Sequence, residues 1–122
     1  MNFENIVYRA EPTPLECGQA VLQMLSGQPI EAVRTVCGTN RETTLADMRK
    51  ALTHYGIRFE NQRREADEKD DLPAVCLLSL ETPKCWHWSL FAHGKFYDPE
   101  HGVLDDFPAC RRKYYWEIFE EA

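Results

Sequence analysis

No stretch of this 122-residue chain approaches the ~20 consecutive apolar residues that a membrane-spanning helix requires, so no membrane partner is expected. A basic surplus is missing as well: 14 Lys and Arg stand against 20 Asp and Glu, for a formal net charge of −6. Without that surplus there is little to displace counterions from a phosphate backbone, which excludes nucleic-acid binding as a main task. Residues 1–9 have neither the basic start nor the apolar stretch of a secretory signal. There is no Cys-x-x-Cys pair and no helical His-x-x-x-His. Cys85, His87, His93 and His101 do not fall at a metal-ligand spacing, so neither a metal nor another cofactor is expected. Internal repeats and low-complexity tracts are also absent.

What is present fits one domain over residues 1–122, long enough to hold a core without metals or disulfides. The five cysteines, Cys17, Cys37, Cys76, Cys85 and Cys110, are odd in number and scattered. Without a secretory signal they read as reduced thiols in a cytoplasmic protein. One of them can then be kept for reactivity.

The first half reads as helical. Cys17, Ala20, Val21, Met24 and Leu25 recur at helical spacing, and Gly27 is placed to end that helix. Pro29 suits the first position of a second helix carrying Ile30, Val33, Val36 and Cys37 before Gly38. Thr44 with Asp47 three residues on marks the start of a third, with Leu45, Met48, Leu52 and Tyr55 as its buried stripe. The second half reads as strands: one starting at Ile57 and Phe59, then 74–80, 86–92, 95–98, 103–104 and 114–119. Residues 63–71 are a dense charge run expected to be a solvated connection, and residues 114–116 an edge strand or an exposed patch. Helices first and antiparallel strands second predict an α+β fold.

Three residues stand out chemically. Cys17 follows Pro12 and Pro14 and opens the first helix, where the helix dipole favours a thiolate. The anion is the attacking form of a cysteine nucleophile, and Gly18 beside it would let a carbonyl approach the backbone. Glu16 opposes a thiolate at that place. The plain alternative for Cys17 is a small core residue, since its phase matches the apolar face.

On the strand 86–92, alternation puts Trp86, Trp88, Leu90 and Ala92 on a core-like face, and His87, Ser89, Phe91 and His93 on the other. A two-residue turn at His93-Gly94 would set Asp98 opposite Ser89 and diagonal to His87, on the same face of the sheet. A three-residue turn would put Asp98 on the reverse face. A carboxylate on one imidazole nitrogen fixes the tautomer and leaves the other nitrogen for a thiol. The plain alternatives are a turn residue for Asp98 and a packed aromatic for His87.

The segment 16–24, Glu-Cys-Gly-Gln-Ala-Val-Leu-Gln-Met, resembles the nucleophile segment of the bacteriocin-processing peptidases, papain-like enzymes that cut double-glycine leader peptides. Residues 87–91 and 94–102, with Asp98-Pro99-Glu100-His101-Gly102, are similar to that family's histidine strand, hairpin and Asp-Pro-x-x-Gly turn. Residues 43–48 through Gly56-Ile57 are similar to its middle helix, so the likeness runs from about Glu11 to Leu104. The resemblance implies a papain-like fold, helices packed on an antiparallel sheet, with Cys17 as nucleophile, His87 as base and Asp98 orienting it. One position departs from the family pattern. Its glutamine six residues before the cysteine, a donor to the oxyanion, is Glu11 here, which leaves Gln19 or a main-chain N–H as a substitute donor.

The expected function is therefore cysteine-dependent hydrolysis of peptide or side-chain amide bonds, with a peptide or protein substrate. The alternatives are a protein deamidase or acyltransferase using the same three residues, or a binding module that kept the fold without the chemistry.

Overall fold

The structure, a computed structural model, describes residues 2–121. Helices α1 (Cys17–Ser26), α2 (Ile30–Cys37) and α3 (Leu45–His54) precede six strands: β1 (Arg64–Glu65), β2 (Val75–Glu81), β3 (Trp86–Ala92), β4 (Lys95–Asp98), β5 (Gly102–Leu104) and β6 (Lys113–Glu117). The strands form one antiparallel sheet in the order β1-β6-β2-β3-β4-β5. The α+β layout read from the sequence holds.

Helix boundaries follow local chemistry. Gly27 and Gly38 end α1 and α2 in the left-handed conformation. Pro29 sits one residue earlier than expected, as the N-cap of α2 rather than its first residue. Thr44 and Asp47 form a reciprocal capping box: the Thr44 hydroxyl accepts from Asp47 N at 3.1 Å, and Asp47 accepts from Thr44 N at 2.9 Å.

Two apolar layers sandwich the sheet. On one face, Leu22, Met48 and Leu52 of the helices meet Leu77, Leu90, Ala92 and Trp116. On the other, Cys76, Leu78, Leu80, Phe91 and Phe96 pack under Leu72, Phe107 and Cys110, which come from connecting segments. With both faces covered, β2 shows a continuous apolar run instead of an alternating pattern.

Three strand expectations are corrected. Residues 64–65 of the charged run pair with Tyr114 and Tyr115 as β1, and Lys69–Asp71 forms a 3-10 turn, so the run is not wholly a solvated connection. The Ile57 and Phe59 segment makes only an isolated bridge, Phe59 to Ile118. β6 is interior, between β1 and β2, with Tyr114 and Trp116 buried, so it is neither an edge nor an exposed patch. Sequence order says nothing of this, because β6 returns across the sheet to pair beside a strand more than thirty residues earlier.

Gly18 also has a packing task that the sequence reading did not name. It is buried, and a Cβ there would overlap Thr43 Oγ1 while lying 3.0 Å from Met48 Sδ and 3.1 Å from Trp88 Cδ1. Its missing side chain allows α1 to close onto the loop before α3 and onto β3. Gly18→Ala should lower stability by about 1–3 kcal/mol through overpacking, read as a reduced urea midpoint at unchanged m-value.

Candidate active site

The β3–β4 hairpin turns through His93 (φ 49°) and Gly94 (φ 85°), both in the positive-φ region that two-residue hairpin turns require. Its register pairs Ala92 with Lys95, Phe91 with Phe96 and Leu90 with Tyr97, so the next pair along is Ser89 with Asp98. His87 and Asp98 therefore share a face, as the two-residue alternative required. His87 Nε2 lies 2.9 Å from Asp98 Oδ1, with both side chains buried.

Asp98 is fully buried and held from all sides. Ser89 Oγ donates to its Oδ2 at 2.9 Å, and the N–H groups of Glu100 and His101 donate to Oδ1 at 3.0 Å each. His101 Nδ1 also reaches Oδ1, at 2.9 Å, so two imidazoles meet at one oxygen. Tyr8 anchors the same residue from the N-terminal segment, donating its hydroxyl to Asp98 O at 2.6 Å. Burial works to raise the Asp98 pKa, but these donors, His87 foremost, hold it down at about 2.

With Nε2 taken by Asp98, Nδ1 of His87 is the nitrogen left for the thiol. The Cys17 thiol lines the same cleft and acts on the His87 ring electrostatically. Burial works to lower the His87 pKa, yet Asp98 and Cys17 together lift it to about 10, so the imidazolium is the favoured form across neutral pH. Trp88 N completes the contact between α1 and β3 by donating to Cys17 Sγ at 3.4 Å. Glu16 does not weigh against a thiolate as its charge alone implies. It is fully buried and forked onto Arg34, with Nε–Oε2 at 2.7 Å and Nη2–Oε1 at 2.8 Å, and the guanidinium balances it.

Cys17 and His87 open into a cleft of about 790 Å³, walled by Leu15, Leu45, Trp86 and Trp88, with Glu11, Glu42 and Glu100 at its polar places. Trp86, expected to be core, is half exposed on this wall and stacks on Tyr114. Glu11 lines the same cleft, its backbone pinned by Glu11 N to Pro99 O at 3.0 Å. Burial raises its carboxyl pKa against the opposing pull of His87. Gln19 is excluded as an oxyanion donor. It is fully buried, and its amide nitrogen donates to Thr39 O at 3.1 Å and Arg41 O at 2.8 Å, bracing the loop after α2.

No protein-family model matches the chain, and no curated protein matches it. His87, Glu100 and His101 each bring a ligand-type atom within 4.8 Å of the others, a grouping different from the cysteine–histidine set weighed in the sequence. Both rings are nevertheless turned onto Asp98 Oδ1, and Glu100 leans toward Lys84 at 3.5 Å, so hydrogen bonding already accounts for the cluster. Sequence reasoning missed Tyr8, His101 and Arg34 as supports. His101 follows Asp98 by three residues, a spacing suited to bonding back across a tight turn, and was the one legible in principle.

The pKa shifts fix a sign for stability. Asp98 is depressed, so its contribution is complete above the unfolded carboxyl value of ~3.9 and fades as pH falls toward about 2. His87 is raised, so its contribution is complete below the unfolded value of ~6.5 and fades as pH rises toward about 10. The stability difference between wild type and Asp98→Asn, from urea midpoints, should therefore be largest between pH ~4 and ~6.5 and shrink on both sides.

Proposed function

We propose that this chain is a cysteine-dependent amide hydrolase of papain-like fold, cutting peptide or side-chain amide bonds in a peptide or protein substrate. The single observation that carries the reading is the His87 ring held on a buried carboxylate, in a cleft that the Cys17 thiol also lines. Each member has the state its role needs. Asp98 stays ionised, His87 keeps a proton in the presence of the sulfur, and Nδ1 is the nitrogen left to serve Cys17 because Nε2 is bound to Asp98.

In this scheme Cys17 Sγ attacks the carbonyl carbon and the C=O electron pair moves to oxygen. His87 then gives its proton to the departing amine as the C–N bond breaks. Water attacks the thioester after losing a proton to His87, and the acid departs as the thiol is regenerated. The apolar walls formed by Leu15, Leu45 and the two tryptophans suit an extended peptide, with side chains seated on aromatic surface. The resemblance to the bacteriocin-processing peptidases supports this same scheme. Deamidation and acyl transfer use the same first half-reaction and differ in the group that leaves or the acceptor that follows.

Cys85 is exposed and serves as an internal reference thiol. With limiting iodoacetamide at pH 6, peptide mass mapping should show Cys17 alkylated at least tenfold faster than Cys85. His87→Ala should remove that advantage. Equal rates for the two thiols in wild type would sink the hydrolase reading in favour of a binding module, for which the carboxylate-lined cleft would be the recognition surface.

A further inference from the structure

The loop between α2 and α3 is pinned from two sides. From α1, the buried Gln19 amide donates to Thr39 O at 3.1 Å and to Arg41 O at 2.8 Å, and Arg41 N donates to Thr39 Oγ1 at 3.0 Å. From β3, Trp88 Nε1 donates to Thr43 O at 3.0 Å. Glu42 lies between the two anchored carbonyls. Its backbone is therefore set by the helix that opens at Cys17 and by the strand that carries His87.

Glu42 is exposed and lines the cleft that Cys17 and His87 also line. Among the described residues its carboxylate has no hydrogen-bond or ion-pair partner; neither Arg41, its chain neighbour, nor Lys84 is paired with it. The other charges of the cleft are accounted for. Lys84 lies 3.5 Å from Glu100, so those two offset each other. Glu11 is partly buried, with its Oε1 out of contact with solvent. Glu42 is left as the free anion of the cleft.

The walls beside that anion are apolar and aromatic. Leu15, Leu45, Trp86 and Trp88 form them, and Trp86, stacked on Tyr114 at 5.8 Å, is still 51% exposed. Free indole surface attracts a cation through its π-face, and a carboxylate attracts the same cation by charge. Apolar walls suit a methylene stem, and the anion suits a charged head. The side chains that join the two are those of arginine and lysine. An acidic side chain would meet repulsion, and an apolar one would cover Glu42 without giving it a partner.

We propose, building on the hydrolase reading, that Glu42 is the specificity-determining residue of this cleft, and that the substrate is a peptide carrying an arginine or lysine beside the bond that is cut. Its task is selection: it holds the basic side chain and takes no part in bond-making at Cys17. Gln19, whose amide is committed to the loop, then supports the reaction indirectly by fixing the residue that selects.

Tripeptidyl chloromethyl ketones, which alkylate a thiol beside a bound peptide, measure this preference. One reagent carries norleucine at all three positions, and the others carry arginine or glutamate at one position in turn. Norleucine matches the arginine stem without its charge. In wild type the fastest arginine reagent should label Cys17 about fivefold faster than the all-norleucine reagent, or more, with the glutamate reagents slowest. Glu42→Gln should bring the arginine-to-norleucine ratio to within about twofold of unity. Glu42→Lys should favour glutamate over arginine at that same position, which a merely structural role would not produce. The wild-type comparison needs no variant and stays decisive should either substitution disturb the loop. Equal wild-type rates for arginine and norleucine at every position, or an arginine preference that survives in either variant, overturn the role of Glu42 while leaving the hydrolase intact. If no reagent labels Cys17 faster than Cys85, the hydrolase reading falls and this inference with it.

Discussion

The buried carboxylate of Asp98 is the group on which the rest of the structure turns. A fully buried anion is costly unless hydrogen-bonded, and here two imidazoles, a serine hydroxyl and two main-chain N–H groups converge on it. Those five donors come from β3 and from the turn after β4, and Tyr8 ties in the N-terminal segment through the same residue's carbonyl. Satisfying one charge thus fixes the tautomer of His87, the shape of the 98–102 turn and the path of the chain that carries Glu11. Replacing these contacts with apolar packing would relieve the desolvation and abolish the orientation of the ring.

Around that centre the fold sets a separate ion pair at the start of α1. The Glu16–Arg34 pair locks α1 to α2 and cancels the charge next to Cys17. The Trp88 N–H then joins the sulfur to β3, and Gly18 lets the helix come close enough for that contact. Helix, sheet and loop are each held by short-range interactions, so the sulfur is set against β3 by packing and not through a flexible arm.

Much of the layout was legible because it is local. Helix ends at Gly27 and Gly38, the Thr44–Asp47 box and the two-residue turn at His93-Gly94 depend on neighbours in the chain. The hairpin register follows from turn length, which is why the shared face of His87 and Asp98 was available by parity. Less legible were the interior place of β6, the short β1 and the exposure of Trp86. Each depends on which strand lies beside which, and residue alternation is silent on that. The packing around Gly18 and the pairing of Glu16 were illegible for a related reason, as they are set by Thr43, Met48 and Arg34, contributed from elsewhere in the chain.

By itself the sequence determined the α+β class, most of the helix ends and the place of the β3–β4 turn, and it singled out three residues whose chemistry suits a thiol site, since periodicity and turn propensity act over a few residues. Only the tertiary structure decided that two histidines share one carboxylate oxygen, that an arginine neutralises Glu16, that Gln19 braces a loop, and that Glu11 lines the cleft with one oxygen buried and unpartnered. These are matters of desolvation and of which partner lies within about 3 Å, and they take values only once distant segments have been packed together.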